Sequence, residues 1–226
     1  MSVLDQFSLQ SKVAIVTGGE GLFGREICAT IRDLGGTALS IDIVPTADHV
    51  IDITDGGAVA KAADGMAPVD ILVNCAVGNQ KPVPDASMNF GPDLMVGLVG
   101  SLHMTAAFGS KMAAGGVILN IGSDLSLIAP DFALYPVGTS KPVSYSVVKH
   151  GIVGMTRYFA AFWGGKIRVN CLCPGGIDVG QALPRVPMGR LAKIDEMRGP
   201  VAFLVSPASS YMTGACLVVD GGRTII

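Results

Sequence analysis

Two residues four apart, Tyr145 and Lys149, carry the most direct chemistry in this sequence. In a helix that spacing projects both side chains from one face, one turn apart. A phenol with an ordinary pKa of about 10 is a poor base at neutral pH, and a neighbouring ammonium favours the phenolate and lowers that value. So tuned, it can pass a proton to or from a substrate oxygen. Tyr-x-x-x-Lys also arises by chance in many helices, so the pair needs corroboration.

Corroboration comes from a glycine cluster, Thr17-Gly18-Gly19-Glu20-Gly21-Leu22-Phe23-Gly24, set between an apolar β-branched run and a helical pattern. Gly18 and Gly21 permit a tight turn and close backbone approach to a pyrophosphate, whose charge is favoured at the start of the helix opening with Leu22 and Phe23. Taken alone, the cluster is equally an ordinary Gly-rich turn. Asp42, at the end of the second predicted strand, adds a carboxylate able to accept hydrogen bonds from adenosine ribose hydroxyls. It would repel a 2′-phosphate, and no Arg or Lys stands beside it, so NAD is expected over NADP. The alternative is that Asp42 only closes its strand into the Val44-Pro45 turn.

The elements that must position these groups alternate along the whole chain. Strands are predicted at Lys12–Thr17, Thr37–Ile43, Val50–Ile53, Val69–Ala76, Gly116–Gly122, Ile167–Cys171 and Cys216–Val219. Helices are predicted at Leu22–Leu34, Asp55–Ala63, Pro92–Ala114, Ser144–Trp163 and Ile194–Val205. Alternation of this kind produces βαβ units and a parallel sheet. The expectation is an α/β, Rossmann-type, doubly wound sheet of about seven parallel strands with helices on both faces. One domain spanning 1–226 should hold both cofactor and substrate sites. The irregular stretches Gln80–Gly91, Asp124–Val143 and Pro174–Gly189 follow strands, where open α/β sheets place their ligands.

Composition agrees and excludes other classes. Hydrophobic residues make up 50% and charged residues 15% of 226, with 30 glycines, which suits strands covered on both faces. A net charge of −2 with scattered Lys and Arg argues against a nucleic-acid partner. No signal-like N-terminus stands out, and Leu94–Ser110, the least charged stretch, carries Ser101, His103 and Thr105, so no membrane partner is expected. Five cysteines without a CxxC pair read as buried small side chains in a reducing, cytoplasmic compartment. His49, His103 and His150 have no second ligand at helical or strand spacing, so no metal is expected.

Over nearly its whole length the chain resembles the short-chain dehydrogenase/reductase family, with that family's motifs in order. The resemblance runs through VAIVTGGEGLFG, Asp52-Ile53, ILVNCAVG, ILNIGS, YSVVK, RVNCLCPGGI and YMTGACLVVDGG. It implies an NAD-dependent oxidoreductase acting on a small-molecule alcohol or ketone. By motif, Ser123 holds the substrate oxygen, Tyr145 is acid or base, and Lys149 binds the nicotinamide ribose and tunes the tyrosine. Asp52 and Ile53 meet adenine. Asn74 and Ala76 belong to the run after the fourth strand, with Asn74 helping to hold the strands. Pro174, Gly175 and Ile177 line the nicotinamide side. The resemblance also implies a homodimer or homotetramer, paired through the Pro92–Ala114 and Ser144–Trp163 helices.

Departures from the family pattern are local. The glycine spacing T-G-x-x-G-x-x-G is more like the branch that modifies sugar nucleotides. Gly97 stands where a relay asparagine is expected, with Ser101 a turn further on as a possible substitute. Val179 replaces a threonine. The long interval from Ser123 to Tyr145 predicts an extra flap at Asp124–Val143 that offers Asp124, Asp131, Thr139 and Lys141 to a hydroxylated, carbohydrate-like substrate or simply to solvent. The Asp178–Met188 lid is short. A catalytically weak NAD-binding or scaffold protein, and a nucleotide-sugar epimerase or dehydratase, are the other readings.

Overall fold

A computed structural model describes residues 2–78, 81–84, 91–181 and 185–226. Seven parallel strands form one sheet: β1 Val13–Thr17, β2 Thr37–Asp42, β3 His49–Val50, β4 Ile71–Asn74, β6 Gly116–Ile121, β8 Ile167–Pro174 and β9 Cys216–Val219. Their order is β3-β2-β1-β4-β6-β8-β9. The chain therefore winds outward from β1 to one edge, then from β4 to the other. Loops diverge where the winding reverses, between β1 and β4, and open a crevice at the carboxyl edge.

Burial on both faces explains why the strand sequences are apolar runs and do not alternate with polar residues. In β1, Ile15 faces one core while Ala14 and Val16 face the other, and all three are fully buried. The first core packs against helices α2 (Gly56–Gly65), α4 (Ser101–Gly109) and α5 (Val143–Phe162) through Val59, Met104, Ile152 and Phe159. The second packs against α1 (Leu22–Asp33) and α6 (Arg198–Val205) through Ile27, Ile31, Val201 and Leu204. Each fully buried Ile or Leu contributes about 1.5–3 kcal/mol of transfer free energy. The first helix starts at an uncapped turn, whereas α2 starts on Asp55, whose carboxylate accepts from Gly57 N and Ala58 N.

Three details differ from the sequence expectation. The third strand is His49–Val50 and not Val50–Ile53, because Asp52 turns the chain by accepting from the backbone N–H and hydroxyl of Thr54. The helix expected at Pro92–Ala114 is three pieces: α3 (Gly91–Leu94), a π-helical turn at Met95–Gly100, and α4, ending at Gly109. Finally, β5 (Val83–Pro84) pairs antiparallel with β7 (Thr139–Ser140), so the Asp124–Val143 flap is anchored by a two-stranded ribbon.

Candidate active site

A cavity of about 1120 Å³ runs along the carboxyl edge of the sheet, from the end of β2 to the segment after β9. At one end lie Gly18, Gly21, Leu22 and Phe23 of the glycine loop, with Asp42, Asp52, Ile53 and Ala76. Gly18 adopts φ +63°, and a Cβ there would sit 2.8 Å from the Ala76 Cα, so only glycine keeps the ends of β1 and β4 this close. A Cβ on Gly24 would overlap the Gly18 carbonyl. No side chain caps α1, whose first N–H groups are left for an anionic ligand. Asp42 accepts from Glu20 N at 3.1 Å and Ile43 N at 2.8 Å, which fixes its carboxylate beside the loop. Hydrogen bonds from Thr54 hold the Asp52 carboxyl below the usual carboxylate range. A cradle that a Cβ would fill, an open helix N-terminus and a fixed carboxylate together fit a dinucleotide.

At the other end β6 delivers Ser123 and α5 delivers Tyr145 and Lys149, and all three line the cavity with Pro174, Gly175 and Ile177. The Ser123 hydroxyl donates to Asp124 Oδ1 at 2.8 Å and accepts from Leu125 N at 3.1 Å. Burial pushes the Tyr145 phenol up to about 12; its hydrogen bond with Ser123 opposes that shift and the nearby Asp124 carboxylate reinforces it. Lys149 Nζ donates to the Ile121 carbonyl at 2.7 Å and lies 5.6 Å from the Tyr145 ring centroid. Burial lowers its pKa below that of an ordinary lysine. Desolvation is thus the largest influence on the phenol.

Several anticipated residues stand elsewhere. Asn74 is buried outside the cavity lining: its Nδ2 donates to Thr105 Oγ1 at 2.9 Å and to Asn120 Oδ1 at 2.8 Å, tying β4 to β6 and α4. In the structure it joins strands, as the resemblance implies. Gly97 cannot be replaced simply by asparagine, since a Cβ would lie 2.6 Å from Val148 Cγ1. Ser101 does not stand in for it, because its hydroxyl donates back to the Gly97 carbonyl at 2.9 Å and is buried inside the helix. Asp131 caps a short turn through Ala133 N, and Thr139 donates to Pro136 O, so neither reaches the cavity. Val179 lines the mouth; residues 80, 85–90 and 182–184, within the two loops expected at the site, lie outside the described residues.

Asp124 and Lys141 do reach it, with two residues the sequence did not single out, Tyr135 and Arg223. Arg223 Nη1 donates to Asp124 Oδ2 at 2.5 Å in an ion pair whose side chains are 11% and 4% exposed. Lys141 Nζ sits 4.0 Å from the centroid of the Tyr145 ring. Burial, reinforced by Lys149 and opposed by Asp124, brings the Lys141 pKa down to about 8. Tyr135 lies in the foreseen flap. Arg223 carries no local signal, being joined to Asp124 only through the fold.

Strand pairing also assembles what the cysteine spacing conceals. Cys171 lies opposite Cys216 in the β8–β9 register, and with Cys173 their sulfurs fall within 4.8 Å of one another. All five cysteines are free thiols.

Fold and site together define a nicotinamide-dependent oxidoreductase of the Rossmann type. Residues 41–224 match the family described as enoyl-(acyl carrier protein) reductase. The chain is 31% identical to D-threitol dehydrogenase of Mycolicibacterium smegmatis, over 100% of this chain and 97% of that one. It superposes on a short chain dehydrogenase from Leptospira borgpetersenii with bound NAD+ at a TM-score of 0.86, with 29% identity over 99% of this chain and 96% of the other. It superposes equally on a gluconate 5-dehydrogenase from Burkholderia cenocepacia in complex with NADP and tartrate: TM-score 0.87, 26% identity, 100% of both chains. The chain belongs to the short-chain dehydrogenase/reductase family.

Proposed function

We propose that this protein is an NAD(H)-dependent oxidoreductase that interconverts a secondary alcohol and a ketone on a small polar, carbohydrate-like substrate, with Tyr145 as its acid or base. The observation that carries the proposal is the convergence of Ser123, Tyr145 and Lys149, from β6 and α5, on the cavity that also holds the glycine loop. In this reading 1–226 is one domain with both sites.

Gly18, Gly21, Leu22 and Phe23 cradle the pyrophosphate, Asp42 takes the adenosine ribose, and Asp52, Ile53 and Ala76 flank the adenine half. Pro174, Gly175 and Ile177 border the nicotinamide, which supplies or accepts the hydride when bound. Ser123 positions the substrate oxygen. Tyr145, neutral at physiological pH with its phenol near 12, is ready to donate a proton to a carbonyl oxygen that gains charge. Lys149, pinned by the Ile121 carbonyl, holds the ribose and keeps positive charge near the phenol.

The preference for NAD rests on Asp42, whose carboxylate would repel a 2′-phosphate. The polar substrate is supported by the threitol dehydrogenase and the gluconate dehydrogenase among its relatives. Free thiols suit the cytoplasm, and among the described residues no helix is long and apolar enough to cross a membrane. A homodimer or homotetramer would cover the exposed apolar face of α5. The second reading, a catalytically weak NAD-binding protein, is favoured by Gly97, which leaves no relay amide in the helix.

Tyr145→Phe separates the two. NADH binding, followed by fluorescence, should stay within threefold, while turnover with polyols and sugar acids should fall at least about a hundredfold. Turnover that survives the change would remove Tyr145 from the mechanism. In the same titrations NADH should bind more tightly than NADPH, and Asp42→Ala should narrow the gap.

A further inference from the structure

The three sulfurs gathered on β8 and β9 form a group that the dehydrogenase chemistry does not use. Cys171 and Cys173 stand two apart on β8, so both point to the same face of the sheet, and their sulfurs are 3.7 Å apart. Cys216 lies opposite Cys171 on β9, and all three sulfurs fall within 4.8 Å of one another. Three sulfurs bound to one ion at about 2.3 Å stand about 4 Å apart, so the trio closes on a metal with only small side-chain movement.

The surroundings suit a soft ion. Gly122, just past β6, packs over the sulfurs: a Cβ there would lie 2.8 Å from Cys171 Sγ and 3.0 Å from Cys173 Sγ, so no side chain fits between them. Cys171 and Cys173 are fully buried, whereas Cys216 is half-buried on the edge strand of the sheet, which gives an ion its way in. Two cations of α5 act on the sulfurs, Arg157 on Cys216 and Lys149 on Cys171 and Cys173, and such positive charge favours the thiolate form that binds metals. Among the described residues no histidine, carboxylate or further cysteine joins the trio. A ligand set of sulfur alone selects copper(I) or zinc over harder cations, and zinc sites complete a fourth position that this trio lacks.

We propose that Cys171, Cys173 and Cys216 form a binding site for a single soft, thiophilic metal ion, copper(I), held by three thiolates. Binding is ligand exchange without oxidation or reduction: each thiol gives its proton to solvent as its sulfur bonds the ion. β9 is hydrogen-bonded to β8 alone, so an ion bridging Cys216 to Cys171 and Cys173 adds a cross-link where the sheet has least support. None of the three cysteines lines the cavity, so the site lies behind Ser123 and Gly122 and is distinct from the active site.

Titration of the full chain, reduced and kept free of oxygen, with copper(I) against a chromophoric copper(I) chelator tests the site without reference to turnover. One equivalent should be held per chain, with thiolate-to-copper charge-transfer absorption in the near ultraviolet, and the thermal midpoint should rise on loading. Cys216→Ser should weaken binding at least about a hundredfold and abolish the thermal shift, because one of three metal–sulfur bonds is lost. Cys171→Ala, in the core, should act alike. Cys28→Ala and Cys75→Ala, whose side chains pack with the opposite core, should bind as the parent does. No retained equivalent, or one that survives Cys216→Ser with folding verified by circular dichroism, would overturn the site, as would its loss in Cys75→Ala. Retention of zinc(II) and not of copper(I) under the same competition would overturn the three-coordinate assignment.

Discussion

At the residue scale, Tyr145 illustrates how burial and charge compete. Four-residue spacing puts Lys149 near the phenol, yet the pocket is dry enough that the phenol rises to about 12 where a lowering was expected. Above its ordinary value of 10, an unfolded tyrosine ionises while the folded Tyr145 stays neutral. The folded state then holds the extra proton, so its stability falls as pH climbs from 10 towards 12. Below pH 10 the group contributes no pH dependence. Ultraviolet difference titration of the cofactor-free protein against Tyr145→Phe should therefore show no phenolate assignable to Tyr145 below about pH 11. A Tyr145 phenolate at pH 8 would mean that Lys149 and Lys141 dominate over desolvation. Lys141 titrates the other way: with its pKa near 8, its positive charge is present below that pH and is lost above it.

At the element scale, the π-helical turn at Met95–Gly100 holds Gly97, which stands where the resemblance leads one to expect a relay asparagine. The turn brings Gly97 against Val148 of α5, and the missing side chain is what lets the two helices approach. Gly97→Asn should therefore destabilise the fold by about 1–3 kcal/mol through overpacking. Adding Val148→Ala should return part of that loss, because it removes the methyl that the new Cβ meets. Urea denaturation of both variants decides the matter, and additive losses in the double variant would show that the contact is not the cause. The same scale shows why some elements were legible. The central strands β1, β4, β6 and β8 are buried on both faces and announce themselves by apolar runs, whereas β5 and β7 are two residues each and exist only because their partners meet.

At the scale of the whole molecule, Tyr158 and Phe162 on α5 are 63% and 67% exposed and stacked on each other, a costly arrangement in water for a monomer. Light scattering should find a dimer or tetramer, and Phe162→Glu should shift it towards monomer. A monomeric wild-type protein at micromolar concentration would contradict that assembly. Such faces pair by symmetry, so a single substitution acts on both sides of a twofold interface.

What the sequence determined by itself was whatever is encoded locally: strands from β-branched runs, helices from their spacing, the glycine turn, and a phenol and amine one turn apart. Motif order then assigned Ser123 and the cofactor wall, and of the residues assigned by motif all but Asn74 line the cavity. Only the tertiary structure could show that Asn74 takes Asn120 and Thr105 as its partners, that Arg223 closes on Asp124 across 99 positions, and that Cys171, Cys173 and Cys216 share one patch of the sheet. The physical reason is common to all three. Pairing between distant side chains is fixed by strand register and loop closure, which depend on the packing of the whole core and leave no trace in the local order of residues.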